Sequence, residues 1–192
     1  AAQLLPVVSP SLAPETLLYR TIFRFAEWDY HGGAIEAREL IRIGPPENNL
    51  YRFAQLNLAS ACVFEENFVE AEEILKDLRA TTLARGELVM YCNSLDISDP
   101  VAIFTGQSGR TDPSVGNAEK VLKGTGTLEW LWIFKWRAVL EAITIKNTAP
   151  LAAARQAALE KRHWETLREL DFLSCKISFD ETTYLKLYYG TA

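Results

Sequence analysis

Apolar residues recur every three or four positions between residues 68 and 79, which is the spacing of one face of an α-helix. The stripe consists of Phe68, Ala71, Ile74, Leu75 and Leu78, and charged residues fill most of the other positions. The pattern therefore predicts an amphipathic helix that packs its apolar face on a neighbour. We expect that neighbour to be the preceding helix, on the side formed by Leu58, Ala59 and Cys62.

The chain before this stripe predicts three more helices. Residues 1–13 hold two prolines and predict an extended lead-in, and Pro14 suits the first turn of a helix. His31-Gly32-Gly33 is expected to interrupt the helical pattern, which resumes over 34–43 and stops at Gly44-Pro45-Pro46. A further helix is expected over 47–64. The first 80 residues thus predict two helical hairpins.

The two hairpins show a repeat with an offset of 34 residues. At that offset Ala37 corresponds to Ala71, and Leu40 corresponds to Ile74. The period and the residue types over about 15–80 resemble the tetratricopeptide repeat, a helix-turn-helix unit. In that family small residues occupy the positions where paired helices approach closely, and the resemblance gives this role to Ala59 and Ala71.

The resemblance also implies a partner-binding groove. In the family the first helix of each repeat lines a concave surface that holds a peptide, and the matching positions here are Phe53, Leu56, Asn57, Ser60 and Val63. Four of them, all except Asn57, fall within about 80° on a helical wheel. An apolar groove of this kind suits a hydrophobic or helical segment of another protein. In the alternative interpretation, the C-terminal half of the same chain covers this stripe.

The second half predicts a different organisation. Residues 93–126 contain five glycines and two prolines and predict a long loop, with 101–105 as a short strand or buried crossing. Residues 127–147 carry three tryptophans around the wheel and predict a helix buried on most sides. Residues 149–177 predict one long helix or two, and Asp180 is expected to cap a last helix. The resulting division is 14–92, 93–126 and 127–192, in an all-α fold.

Composition narrows the function classes. The chain of 192 residues is 48% hydrophobic and has a net charge of -5, which disfavours a broad nucleic-acid interface. No apolar run is long enough to predict a membrane-spanning helix. Its three cysteines form no metal or disulfide pattern, which favours a reducing, cytoplasmic location. A signal removed before Ala1 would leave no trace.

Candidate chemistry is sparse. His31 lies in a predicted turn and His163 on a polar helical face, and no nucleophile, zinc, calcium or phosphate motif accompanies them. The acidic run from Glu65 to Glu73 predicts a solvated helix face. We expect no cofactor and no catalysis, and favour an adaptor or scaffold domain that binds another protein. The alternative is a sensory or dimerisation domain that holds a small ligand near the tryptophan helix. Homo-oligomerisation is left open.

Overall fold

The computed structural model describes residues 13–106 and 114–178, which form ten helices and no strand. The helices are α1 (Ala13–Ala26), α2 (Tyr30–Ile43), α3 (Asn49–Phe64), α4 (Phe68–Ala84), α5 (Leu88–Asp96), α6 (Ser98–Phe104), α7 (Ser114–Thr125), α8 (Trp130–Ile145), α9 (Ala149–Glu160) and α10 (Trp164–Ser178). The predicted all-α fold class is confirmed. The chain divides into two compact units, Ala1–Ile97 and Ser98–Ala192.

In the first unit each helix packs on the next, and α3 occupies the centre. It contacts α2 and α4, its neighbours in the chain, and also α1 and α5. Ala37, Ala59 and Ala71 are fully buried, which lets these helices approach closely because a methyl group adds little bulk. The four predicted helices are therefore present in the predicted order. The resemblance to the tetratricopeptide repeat stays a prediction.

The same turn closes several of the helices. A left-handed residue follows the helix end at Trp28, Glu66, Gly86, Lys146 and Arg162. The next amide then donates to a carbonyl five residues earlier, as Asn67 does to Cys62 at 2.8 Å and His163 to Ala158 at 2.9 Å. This is the Schellman geometry, which satisfies carbonyls that a helix end would otherwise leave without donors.

The interruption expected at His31-Gly32-Gly33 is wrong, because α2 begins at Tyr30 and runs through these residues. Asp29 caps the helix, and its Oδ1 accepts a hydrogen bond from the amide of Gly32 at 2.8 Å. Gly33 serves close packing, since a Cβ there would lie 2.3 Å from the ring of Phe25. The stop at Gly44-Pro45-Pro46 is confirmed.

In the second unit α8 is the central helix and contacts α6, α7, α9 and α10. Between Leu131 and Leu140 its only exposed residue is Arg137, so the prediction of a helix buried on most sides is confirmed for this part of α8. It is wrong for the last five residues of the helix, of which only Ala142 is buried. The stretch 149–177 forms two helices, α9 and α10, joined by a turn at Lys161–His163.

The long loop expected at 93–126 is wrong wherever the structure describes it. The stretch contains the end of α5, all of α6 and all of α7. Pro100 lies in the first turn of α6, where a missing amide donor costs nothing. Residues 101–104 are helical rather than extended, and Val101 and Ala102 are buried. Three expected segments lie outside the described residues: 1–12 of the extended lead-in, the loop residues 107–113 and the helix after Asp180. The lead-in was expected to reach residue 13, but Ala13 already belongs to α1.

Candidate functional site: the open side of α3

The central helix α3 keeps one side accessible although four helices pack against it. Phe53 is 39% exposed, and Leu56, Asn57 and Ser60 are half-buried. These are four of the five positions predicted for partner binding, and they share one arc of the helix. We call this arc the α3 face. Asn57 and Ser60 make no side-chain hydrogen bond with the described part of the chain, so their polar groups are open to another acceptor or donor.

The fifth predicted position, Val63, does not belong to the accessible surface. Its exposure is only 1%, so in this structure a partner could not reach it. On the wheel Val63 lies at the edge of the arc, 40° from Ala59, which is fully buried. The prediction was wrong for Val63 because angular position alone does not locate the boundary between a core face and an open face.

Arg52 anchors the N-terminal end of α3. Its side chain is 2% exposed, and its guanidinium donates to both carboxylate oxygens of Glu87 at 2.6 Å. It also donates to the carbonyls of Pro46, Glu47 and Asn48, each at 3.3 Å. Glu87 is the residue that precedes α5. The pair therefore ties the loop before α3 to the turn before α5.

Sequence reasoning missed this anchor, although a signal was present. On the helical wheel Arg52 falls between Ala59 and Val63, on the buried side of α3. A charged residue on an apolar face requires a buried partner. Burial opposes ionisation of Glu87, but the hydrogen bonds from Arg52 and Arg85 outweigh it, and the pKa of the Glu87 carboxyl lies below its usual value.

Aromatic stacking and a side-chain hydrogen bond hold the C-terminal end of α3. The ring of Phe64 stacks on Tyr30 with centroids 4.2 Å apart and an interplanar angle of 16°. Tyr30 also contacts Phe25 of α1 at 5.2 Å. Beside this cluster, His31 Nδ1 lies 2.7 Å from an oxygen of Glu65. Contacts at both ends thus fix the orientation of α3, so the residues of its open face are held in place before any partner arrives.

Cys62 lies on the buried side of α3 and is not placed for nucleophilic chemistry. Burial, and next the negative charge of Glu70, raises the pKa of the Cys62 thiol to about 11. The thiolate is the reactive form of cysteine, and at neutral pH it is almost absent here. Glu70 itself accepts from Arg38 at 2.9 Å, and this hydrogen bond raises the pKa of the Arg38 guanidinium.

The other residues weighed for chemistry have local roles. His163 precedes α10, and its Nδ1 lies 3.0 Å from Thr166 Oγ1, a contact typical of a helix cap. In the basic stretch near it, Arg155 is paired with Asp171 at 2.6 Å. Trp136 belongs to the core of the second unit. Glu65, Glu66, Glu72 and Glu73 are exposed, as expected of a solvated face.

Metal-ligating side chains do not gather in the part of the chain that the structure describes: no group of three or more His, Cys, Asp or Glu residues is placed to hold an ion. Among residues 13–106 and 114–178, no helix combines the length and apolar character needed to cross a bilayer. No protein-family model, curated protein or solved structure matches the chain.

Proposed function

We propose that the chain is a non-catalytic adaptor or scaffold domain whose α3 face binds a hydrophobic or helical segment of another protein. The observation that carries the proposal is the exposure of Phe53 on a helix whose other sides are packed. Aromatic side chains in this setting commonly dominate binding, because they bury a large apolar area at a small cost in conformational entropy.

The polar residues of the α3 face support the same proposal. On the wheel Ser60 lies between the apolar residues Leu56 and Phe53, and Asn57 lies beside Phe53. The side chains of Asn57 and Ser60 make no hydrogen bond within the described residues. An amide and a hydroxyl so placed can pair with the backbone of a bound segment, which fixes its orientation. Apolar contacts would then supply affinity while Asn57 and Ser60 supply specificity.

Site-specific photo-crosslinking tests this function. The photoreactive amino acid benzoylphenylalanine replaces Phe53 in the full chain, and the protein is irradiated in its native cells. We expect a covalent adduct with a partner protein, and we expect Leu56→Glu in the same chain to abolish it. Benzoylphenylalanine at Val69, an exposed residue on the outer side of α4, is the matched control and should not give this adduct.

The proposal is refuted if positions 53 and 69 give the same adducts, or if Leu56→Glu leaves the adduct unchanged. Circular dichroism must show that Leu56→Glu retains the helix content of the parent. A variant that loses its helices would place Leu56 in the core. In that case the difference in crosslinking between positions 53 and 69 still shows whether the α3 face binds a partner.

A second candidate function, a sensory domain for a small ligand, rests on a cluster in the second unit. The ammonium of Lys123 lies 4.5 Å from the ring centroid of Trp130 and 5.5 Å from that of Phe134. Lys123 and Arg137 share one carboxylate, that of Glu119, so the cluster has one positive charge in excess. An anionic aromatic metabolite fits this chemistry. Quenching of tryptophan fluorescence that disappears in Trp130→Phe would support it, and an unchanged spectrum across a metabolite panel would exclude it.

A further inference from the structure

The outward side of α1 carries an uncovered apolar stripe. Tyr19 is 62% exposed, Ile22 49% and Phe23 65%, and Ala26 is exposed as well. The opposite side of α1 packs on α2 and α3 and buries Thr21. Single exposed apolar residues are ordinary. Four at positions i, i+3, i+4 and i+7 form the seam along which a second helix packs.

The charges around the stripe indicate the character of that helix. Both arginines of α1 are neutralised from the side of α2: Arg20 pairs with Glu36, and Arg24 pairs with Asp29 at 2.9 Å. Glu15 of α1 and Glu27, just after its end, are not neutralised in this way. Glu15 lies beside Ile22 and Ala26 on the wheel, and its Oε2 is shielded from water without a hydrogen bond.

The second carboxylate, Glu27, lies beside Phe23 on the wheel and directly follows the last residue of α1. A negative charge at this end of a helix is unfavourable, because the helix dipole is itself negative there. Glu27 is exposed and has no partner within the described residues. Glu15 and Glu27 are thus two carboxylates about 18 Å apart, at a rise of about 1.5 Å per residue, and they flank the stripe at its two ends.

These charges argue against a second copy of this chain as the occupant. Two α1 helices packed antiparallel about the centre of the stripe would bring Glu15 of one copy within one helical turn of Glu27 of the other, and like charges at that separation repel. We propose instead that the stripe docks an amphipathic helix of a partner protein whose apolar face is flanked by Lys or Arg residues about 12 positions apart. Such a helix supplies a cation to each carboxylate. This surface lies on a different helix from the α3 face and does not depend on it.

Two synthetic helical peptides test the proposal with the full chain. Both carry leucine at i, i+3, i+4 and i+7 over 16 residues, and they differ only in having lysine or glutamate at the two flanking positions. Fluorescence anisotropy of the labelled peptides measures affinity at low and at physiological ionic strength. We expect the lysine peptide to bind more tightly, by about fivefold or more, and the preference to shrink as salt screens the charges.

Two variants locate the binding. Phe23→Glu should weaken binding of the lysine peptide at least tenfold, because it buries a charge in the seam. Glu27→Lys should abolish the preference between the two peptides, because each peptide then meets one opposite and one like charge on the chain. Val69→Glu, at an exposed apolar residue of α4, is the matched control and should change nothing. All three positions are exposed, so each variant should retain the parent circular dichroism spectrum.

Equal affinity for the two peptides, no binding of either, or an equal loss in Val69→Glu would overturn the proposal. So would a homodimer in sedimentation equilibrium that Phe23→Glu dissociates, since a second copy would then be the occupant. The Phe53 crosslinking result and the Phe23 peptide result vary independently, so failure of one proposal does not imply failure of the other.

Discussion

Replacing Glu87 with glutamine should destabilise the first unit far more than its small change in shape suggests. Arg52 is held in a position where water cannot reach it, and Glu87 is its only counter-charge among the contacts made by the guanidinium. The other partners are carbonyl oxygens, which stabilise a cation but do not neutralise it. Glutamine keeps one acceptor oxygen and turns a donor NH₂ toward a group that itself only donates.

The expected loss is about 3 kcal/mol in the free energy of unfolding. Removing one partner of a buried ion pair costs about 3–5 kcal/mol, because an uncompensated charge stays in the interior. The lower end applies here, since the side chain of Glu87 is 25% exposed and water can solvate part of the site. The matched control is Glu39→Gln. It breaks a pair with Arg42 on the exposed surface and should leave stability nearly unchanged.

Urea unfolding followed by circular dichroism measures the loss, and hydrogen–deuterium exchange locates it. Exchange should become faster in the loop before α3 and in the turn before α5, the two segments that Arg52 joins. A Glu87→Gln variant within about 0.5 kcal/mol of the parent would refute the reasoning, because the carbonyls alone would then suffice to hold the cation.

The pH dependence gives the same prediction an independent check. The pKa of Glu87 is lowered in the folded state, so its contribution to stability is complete above the unfolded pKa of about 4.3 and is lost as the pH falls through the folded pKa. The stability difference between parent and Glu87→Gln should therefore shrink below about pH 4. A difference that stays constant from pH 7 down to pH 3 would show that the carboxylate charge is not its source.

Three further predictions follow from close packing, backbone conformation and thiol burial. Gly33→Ala should lower the free energy of unfolding by about 1–3 kcal/mol in urea titrations, because its Cβ meets the Phe25 ring at 2.3 Å, and an unaffected midpoint would contradict this packing. Gly86→Ala should cost about 1 kcal/mol at a φ of 71° with no atom nearby, while Gly116→Ala, in open space within α7, should not destabilise. Ellman's reagent at pH 8 should label Cys62 only after unfolding, since its pKa is about 11 and it is fully buried; prompt labelling of the native chain at this residue would contradict the burial.

Periodicity was sufficient to predict the first four helices of the first unit and much of its core, but not α5. Ala71, Leu75 and Leu78 were expected on the buried face of α4, and all three are buried. Phe68 and Ile74, predicted on the same face, are only half-buried. Burial can be predicted from hydrophobic spacing because an apolar stripe on one side of a helix packs against another part of the protein. How much of the stripe is buried depends on the neighbouring helices, and spacing alone does not identify them.

The candidate site was predicted less completely than the fold. Phe53, Leu56, Asn57 and Ser60 share the open arc of α3, while Val63 was misplaced. The anchor between Arg52 and Glu87 joins residues 35 positions apart, and such a long-range pair leaves no periodic trace. The stripe on α1 was not predicted, because spacing shows that a helix has an apolar side but not whether another helix covers that side.

Turns were the least predictable feature, since four of the seven left-handed residues that follow helix ends in the described part of the chain are not glycine. Trp28, Glu66, Lys146 and Arg162 adopt positive φ, a conformation that costs an L-residue roughly 1–2 kcal/mol. The Schellman hydrogen bonds and the packing of the following helix offset that cost. A sequence search for glycine therefore selects Gly32 and Gly33, which lie inside α2, and passes over the residue that makes the turn.

The misplaced turn also explains the 34-residue offset. The helices α2 and α4 begin at Tyr30 and Phe68, which are 38 residues apart. At that offset Gly33, Ala37 and Leu40 correspond to Ala71, Leu75 and Leu78, and every pair is buried. The offsets of 34 and 38 residues differ by four, which is about one helical turn. The apolar stripe of α2 therefore aligns with the apolar stripe of α4 at both offsets. A stripe alone therefore fixes the repeat only to within one turn, and the turn residues Trp28 and Glu66, also 38 apart, are needed to choose between them.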